Sequence, residues 1–216
     1  MKRNKSRMNR AGQALQSHVQ NQMSLYLFVV VLFMMGVIFG AVIVNTLSPV
    51  QKENLLTYLG HFFRGMEQQT IAEPRIAFQH TLGSHLKTLG LMWILGVSVI
   101  GVPFIFVLIF LKGLVIGFTV GFLVNQLSWQ GVWFAFLAVV PHNLLVVPAL
   151  MIVAVSGTSF SLLLARNRLI QRRGMIYPQF LSYSILVTVM VGVLMVASFF
   201  EAYVSPTLMR WVIPTI

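Results

Sequence analysis

The feature of this sequence that most constrains its fold is a series of five apolar stretches, at about residues 25–44, 88–111, 113–127, 132–155 and 180–200. An apolar helix of about 20 residues is long enough to cross the hydrocarbon core of a bilayer, which is about 30 Å thick. The sequence therefore predicts an all-α, polytopic membrane protein with about five transmembrane helices. Such a protein has little mass outside the membrane.

The composition supports a membrane protein over a soluble one. Hydrophobic residues make up 57% of the chain and charged residues only 9%, whereas a soluble domain has about 25% charged residues. The formal net charge of +11 does not indicate nucleic-acid binding, because the basic residues flank the apolar stretches, as they do in membrane proteins. Cysteine is absent, which excludes disulfides and thiolate catalysis.

The distribution of charge predicts the topology. We divide the chain into a basic cytoplasmic tail (residues 1–23) and a single integral membrane domain (residues 24–216), because the first apolar stretch is too long for a signal peptide and lacks a good cleavage site. With the N-terminus in the cytoplasm, ten of the 15 Lys and Arg residues, Lys112 among them, fall inside. This bias fits the positive-inside rule and places the C-terminus outside, together with all four glutamates.

The loop of residues 45–87 is the main extracytoplasmic segment. Ser48-Pro49-Val50-Gln51 predicts an N-cap, a proline in the first turn and a capping-box glutamine. Apolar side chains then recur at helical spacing, which predicts an amphipathic helix over about residues 49–68. This helix is expected either to lie on the lipid interface or cap the bundle, or to dock a partner through Leu55, Leu59, Phe62 and Phe63.

No motif in the chain predicts catalysis. The sequence lacks a Gly-x-Ser-x-Gly motif, paired carboxylates and a glycine-rich phosphate loop. His80 and His85 are five residues apart, so they do not share a helix face as metal ligands at i and i+4 would. We therefore expect no enzyme activity, no metal and no cofactor. The Arg-rich cytoplasmic loop, residues 156–179, is expected to set the topology and contact anionic lipid, or to bind a cytoplasmic partner.

A glycine face in the third stretch predicts close helix packing. Gly113, Gly117 and Gly121 are spaced four apart, and Gly36 and Gly40 repeat that spacing in the first stretch. Small residues on one face let helix backbones approach closely in a membrane. The spacing leaves open whether the contact forms within the bundle or between chains, as in a homo-oligomer.

The fourth stretch contains a costly polar segment. Pro141, His142 and Asn143 are followed by Pro148, and each proline removes a backbone hydrogen bond. The segment predicts either a kinked helix with a structural polar contact, or a broken helix that forms a transport site near the bilayer midplane. The glutamate closest to a span is Glu201, at the outer end of the fifth stretch, where we expect an interfacial carboxylate.

Several motifs resemble the stage II sporulation protein M family of endospore-forming bacteria over essentially the whole chain. They are Lys112-Gly113 with Leu114-Val115-Ile116-Gly117-Phe118, Pro141-His142 with Pro148-Ala149, and Glu201-Ala202-Tyr203-Val204-Ser205-Pro206. The wider family often has Pro-His-Gly-x-x-Glu, where this chain has Asn143 and Val146. This departure counts against an ion-handling role that rests on that glutamate.

The resemblance implies a function in engulfment of the forespore. It suggests a non-enzymatic membrane scaffold at the sporulation septum that recruits two peptidoglycan-degrading partners, stage II sporulation proteins D and P. Pro141, His142, Pro148, Glu201 and Pro206 would be its family-motif residues. Two alternatives remain: a small transporter or channel subunit built around Pro141, His142 and Pro148, and a permease subunit for a separate ATPase.

Overall fold

The computed structural model describes residues 22–67, 73–167 and 177–210, with the side chains of 62–63, 66–67 and 208–210 excepted. These residues are almost entirely helical and contain no strand, which confirms the all-α class. The helices are α1 (Met23–Thr46), α2 (Pro49–Glu67), α3 (Pro74–Val97), α4 (Val102–Arg166), α5 (Tyr177–Phe199) and α6 (Ser205–Arg210). A π-helical turn, Phe200–Val204, joins α5 to α6.

Helix α2 begins where the sequence predicts. The Ser48 N–H donates to Gln51 Oε1 at 2.9 Å, and the Gln51 N–H donates to Ser48 Oγ at 3.3 Å. This reciprocal pair is a capping box, which satisfies backbone donors that a helix N-terminus leaves free. The predicted amphipathic helix is confirmed, within one residue at its end.

The boundary between the second and third apolar stretches differs from the prediction. The helix does not end at Lys112 but runs through Lys112 and Gly113 as part of α4. The interruption lies at Ser98, whose backbone is extended, and at a short 3₁₀ turn, Val99–Gly101. Pro103 then stands in the first turn of α4, where its missing N–H has no intrahelical acceptor to lose. The charge of Lys112 therefore did not mark a loop.

Helix α4 folds back on itself at Ser128. Ser128 has φ 50° and ψ −127°, and a Cβ on Gly131 would collide with the Leu123 carbonyl. Residues eight apart would be about 12 Å apart along a straight helix, so the chain reverses here. The first arm (residues 102–127) and the second arm (residues 129–166) form a helical hairpin. A hydrophobic cluster that includes Leu123 and Phe134 lies between the two arms.

Replacement of Ser128 by glycine is expected to stabilise the protein. A left-handed φ is unfavourable for a residue with a Cβ and costs about 1–3 kcal/mol, whereas glycine adopts it freely. Ser128→Gly should therefore raise the melting temperature of the purified protein, and Ser128→Val should lower it. Equal melting temperatures for the two variants would contradict this backbone conformation.

The helices alternate in direction. At one end of the bundle, Ser159 Oγ donates to Gln22 Oε1, and Ser161 Oγ donates to the Ser98 carbonyl at 2.8 Å. These bonds bring the start of α1 and the end of α3 to the end of the second arm of α4. At the other end, the Asn125 amide donates to Asn45 Oδ1 at 3.4 Å. The first arm of α4 therefore runs parallel to α1.

A buried tyrosine joins three helices near the first of these ends. The Tyr183 hydroxyl of α5 donates to the Met92 carbonyl of α3 at 3.2 Å, and its ring stacks on Phe160 at 5.6 Å. The hydroxyl lies in a notch between Gly96 and Gly157, where a Cβ on Gly96 would collide with it. These glycines leave room for the aromatic ring between the helices.

In the part of the chain that the structure describes, three helical segments are long and apolar enough to cross a membrane: Met23–Thr46, Val99–Arg166 and Tyr177–Thr207. The second contains the hairpin at Ser128, so it consists of two antiparallel arms. Helix α3 is not among the three because it carries more polar residues. These segments indicate a membrane protein.

Candidate functional site

The predicted glycine face packs within this chain. Cβ atoms on Gly113 and Gly117 would collide with the carbonyl oxygens of Phe33 and Val37, and one on Gly121 would lie 2.9 Å from the Ala41 Cα. In return, Cβ atoms on Gly36 and Gly40 of α1 would collide with carbonyl oxygens of α4. The two helices therefore contact each other backbone to backbone, as small-residue faces allow.

Four ionisable side chains, distant in sequence, come together inside the bundle. They are His85 of α3, Lys112 and His142 of the two arms of α4, and Glu201 of the π-helical turn, and we call them the ionisable cluster. Ionisable groups within a membrane bundle are costly, so they pair with one another and mark functional sites. No pattern in the sequence connects these four residues, and the predicted spans leave His85 and Lys112 outside the membrane.

The closest pair in the cluster is His85 and Glu201. His85 Nε2 lies 3.6 Å from Glu201 Oε2, and the two side chains are 10% and 32% exposed. Both atoms are buried, and neither has a hydrogen-bond partner among the described residues. The carboxylate of Glu201, which the sequence predicts at the membrane interface, therefore faces a helix of the bundle.

Lys112 contributes a basic side chain to the cluster. It is half-buried in the first arm of α4 and interacts electrostatically with Glu201. An opposite charge in the same cluster offsets part of the cost of removing the lysine from water. This interaction helps to accommodate a lysine within an apolar helix, ten residues from its beginning.

His142 reaches the cluster from the second arm of α4. Its ring interacts electrostatically with Glu201, Lys112 and His85. The Asn143 amide nitrogen lies 3.0 Å from His142 Nε2 and donates to the Val139 carbonyl at 2.8 Å. Asn143 thus fixes the ring of its neighbour while bonding to the helix backbone.

The prolines of α4 do not break the helix. Pro141 and Pro148 lie inside continuous helix, and the only non-helical backbone in α4 is at Ser128. The expectation of a broken helix is therefore wrong, although His142 does lie at a polar site. Pro206, the last of the family-motif residues, stands in the first turn of α6, where proline is tolerated.

Helix α2 presents two different faces. Leu59 packs against the cluster around Leu123 and Phe134, and Leu55 is half-buried, so part of the predicted partner-facing surface contacts the bundle instead. The side chains of Phe62 and Phe63 lie outside the described residues. The opposite face forms a groove of about 330 Å³, the α2 groove, lined by Glu53, Leu56, Thr57, Gly60, His61 and Arg64.

Metal binding finds no support in the described part of the chain. Within residues 22–67, 73–167 and 177–210, no group of three or more His, Asp or Glu side chains could hold a metal ion.

Comparison with known proteins gives one match. The family model described as stage II sporulation protein M matches residues 29–206, which include every member of the ionisable cluster. No curated protein and no solved structure matches the chain.

Proposed function

We propose that this protein, which belongs to the stage II sporulation protein M family, is a non-enzymatic membrane scaffold for engulfment of the forespore. Family membership implies a role in sporulation. In our proposal the protein lies at the septal membrane and recruits peptidoglycan-degrading partners, stage II sporulation proteins D and P. It does so from a five-span topology with a cytoplasmic N-terminus and an extracytoplasmic C-terminus.

The α2 groove is the observation that carries the proposal. Helix α2 is anchored by Leu59 and leaves its opposite face uncovered by the described chain. That face combines an exposed leucine, Leu56, with the charged residues Glu53 and Arg64. An apolar residue flanked by charged residues fits a protein-docking surface, which has an apolar centre and a polar rim. The groove also lies at the end of the bundle where the extracytoplasmic partners would act.

The alternating helix directions support the proposed topology. Successive helical segments cross the bundle in opposite directions, in the order α1, α3, first arm of α4, second arm of α4 and α5. If α1 begins on the cytoplasmic side and ends on the outer side, the α2 groove lies outside the membrane, facing peptidoglycan. The positive charge of the N-terminal tail favours this orientation.

Charge substitutions in the α2 groove are expected to release the partners without preventing membrane insertion. Leu56→Asp and Arg64→Glu, combined in one variant, remove apolar contact and reverse a charge at the groove. Affinity capture from crosslinked, solubilised membranes of sporulating cells should then recover at least about tenfold less of proteins D and P, the change that corresponds to 1.4 kcal/mol of binding free energy.

A matched control uses the same helix. Tyr58 is 75% exposed but does not line the α2 groove, so Tyr58→Asp adds a charge without touching the proposed footprint. Capture should persist in this variant. Undiminished capture by the groove variant would refute the docking surface, and failure of the unaltered protein to capture either hydrolase would refute the scaffold itself.

A small transporter or channel subunit is the second candidate function. The ionisable cluster favours it, because a proton-coupled carrier needs several ionisable groups within the membrane, and the structure brings four together. Its signature would be a solute or proton flux into sealed vesicles that His142→Ala abolishes while capture of the hydrolases persists. A scaffold has no such flux to lose.

A further inference from the structure

We propose that His85 and Glu201 form a buried proton-binding site, in which Lys112 competes with His85 for the carboxylate while Asn143 holds His142 neutral. The site does not depend on the partner-docking function proposed above. Each of the four ionisable side chains has a different part in the site.

His85 is placed to take up the proton. Its Nε2 faces Glu201 Oε2 at 3.6 Å, and the residue is only 8% exposed. Neither atom has another hydrogen-bond partner among the described residues. Addition of a proton to the imidazole produces a cation beside a carboxylate, which is favourable where water is scarce. Imidazole is also the side chain that ordinarily changes charge between about pH 5 and 8.

Lys112 limits the affinity of the site for a proton. With both histidines neutral, the charges of Lys112 and Glu201 cancel. A proton on His85 therefore gives the cluster a net positive charge, and it shares Glu201 with Lys112. A second proton would meet two cations within the same cluster. The site is thus suited to bind one proton.

His142 is prevented from taking that proton by its neighbour. The Asn143 amide nitrogen donates one hydrogen to the Val139 carbonyl, at 2.8 Å, so the orientation of the amide is fixed. A flipped amide would place two oxygens against each other. The same nitrogen lies 3.0 Å from His142 Nε2, which must then accept a hydrogen bond. An imidazole that accepts at Nε2 is neutral and carries its proton on Nδ1.

Proton uptake by His85 would strengthen the contact between the C-terminal segment and α3. Glu201 is part of the π-helical turn Phe200–Val204, and π-helical turns occur often at functional sites. Ser198 and Ser205, which flank this turn, are buried, and their hydroxyls have no partner among the described residues. When His85 is charged, its attraction to Glu201 would hold the turn against α3. When His85 is neutral, Glu201 would interact mainly with Lys112.

The test is a titration of full-length protein, labelled with ¹³C-histidine and reconstituted in nanodiscs, followed by NMR. His85→Gln and His142→Gln assign the two resonances. In the unaltered protein, His85 should titrate and His142 should not. The midpoint for His85 should fall by about one pH unit or more in Glu201→Gln, since an opposite charge within about 4–6 Å has that effect. It should rise in Lys112→Met, because this variant removes the cation that competes for Glu201.

Asn143 provides an independent test. In Asn143→Ala, His142 loses the donor that keeps it neutral and should begin to titrate. The proposal is overturned if His85 does not titrate, if its midpoint moves in the same direction in the lysine and glutamate variants, or if His142 titrates while Asn143 is present. The lysine, glutamate and asparagine variants test different contacts. If one of them fails to fold, the other two still test the proposal.

Discussion

Gly117→Ala is expected to lower the melting temperature of the protein, although alanine is the better helix former. The added Cβ would collide with the carbonyl oxygen of Val37 in α1. Backbone atoms cannot move aside as a side chain can, so the two helices must separate. Overpacking of this kind costs about 1–3 kcal/mol, and each kcal/mol lowers the melting temperature of a chain of this size by about 2–4 °C.

The control for this prediction is the same substitution at Gly192. A Cβ at Gly192 of α5 meets no atom within 4 Å, so Gly192→Ala should be neutral or stabilising by up to about 1 kcal/mol. Melting temperatures of both variants can be measured in detergent by size-exclusion chromatography after heating. If Gly117→Ala were as stable as Gly192→Ala, the parallel contact between α1 and α4 would be incorrect.

Tyr183→Ala is expected to destabilise the bundle strongly, by more than Gly117→Ala. Its ring is 4% exposed, stacks on Phe160 and fills the notch between two glycines. Loss of a buried aromatic side chain costs about 3–5 kcal/mol because the cavity collapses only in part. Thermal unfolding and the yield of monodisperse protein report this effect.

Two further variants separate the contributions of the Tyr183 ring and hydroxyl. Tyr183→Phe keeps the ring and loses the bond to the Met92 carbonyl, so it should cost only about 0.5–1.5 kcal/mol. Tyr177→Ala removes a side chain from the same helix that is 73% exposed and should have little effect. Equal losses in Tyr183→Ala and Tyr177→Ala would show that the ring does not hold α3, α4 and α5 together.

The ionisable cluster shows why part of the site escapes analysis of the sequence. The sequence predicts Lys112 on the cytoplasmic side, because it separates the second and third apolar stretches. Its partner, Glu201, lies 89 residues further along the chain, and no local pattern connects the two. The available signal was Pro103, which marks the start of a helix and leaves Lys112 within an uninterrupted apolar run.

Local sequence patterns, in contrast, predict the features that depend only on a short stretch of chain. Ser48, Pro49 and Gln51 specified the start of α2, because a capping box forms between residues three apart. Apolar composition specified helices, since a membrane segment must satisfy its own backbone hydrogen bonds. The spacing of Gly113, Gly117 and Gly121 specified a close contact without naming its partner.

The tertiary structure decided which surfaces meet. It matched the glycine face of α4 to α1, turned Leu59 toward the bundle, and gathered His85, Lys112, His142 and Glu201 from three elements. Helix formation depends on interactions within about one turn, so sequence periodicity reveals it. The pairing of faces and charges depends on how helices that are distant in sequence pack, and only the folded arrangement of the chain fixes it.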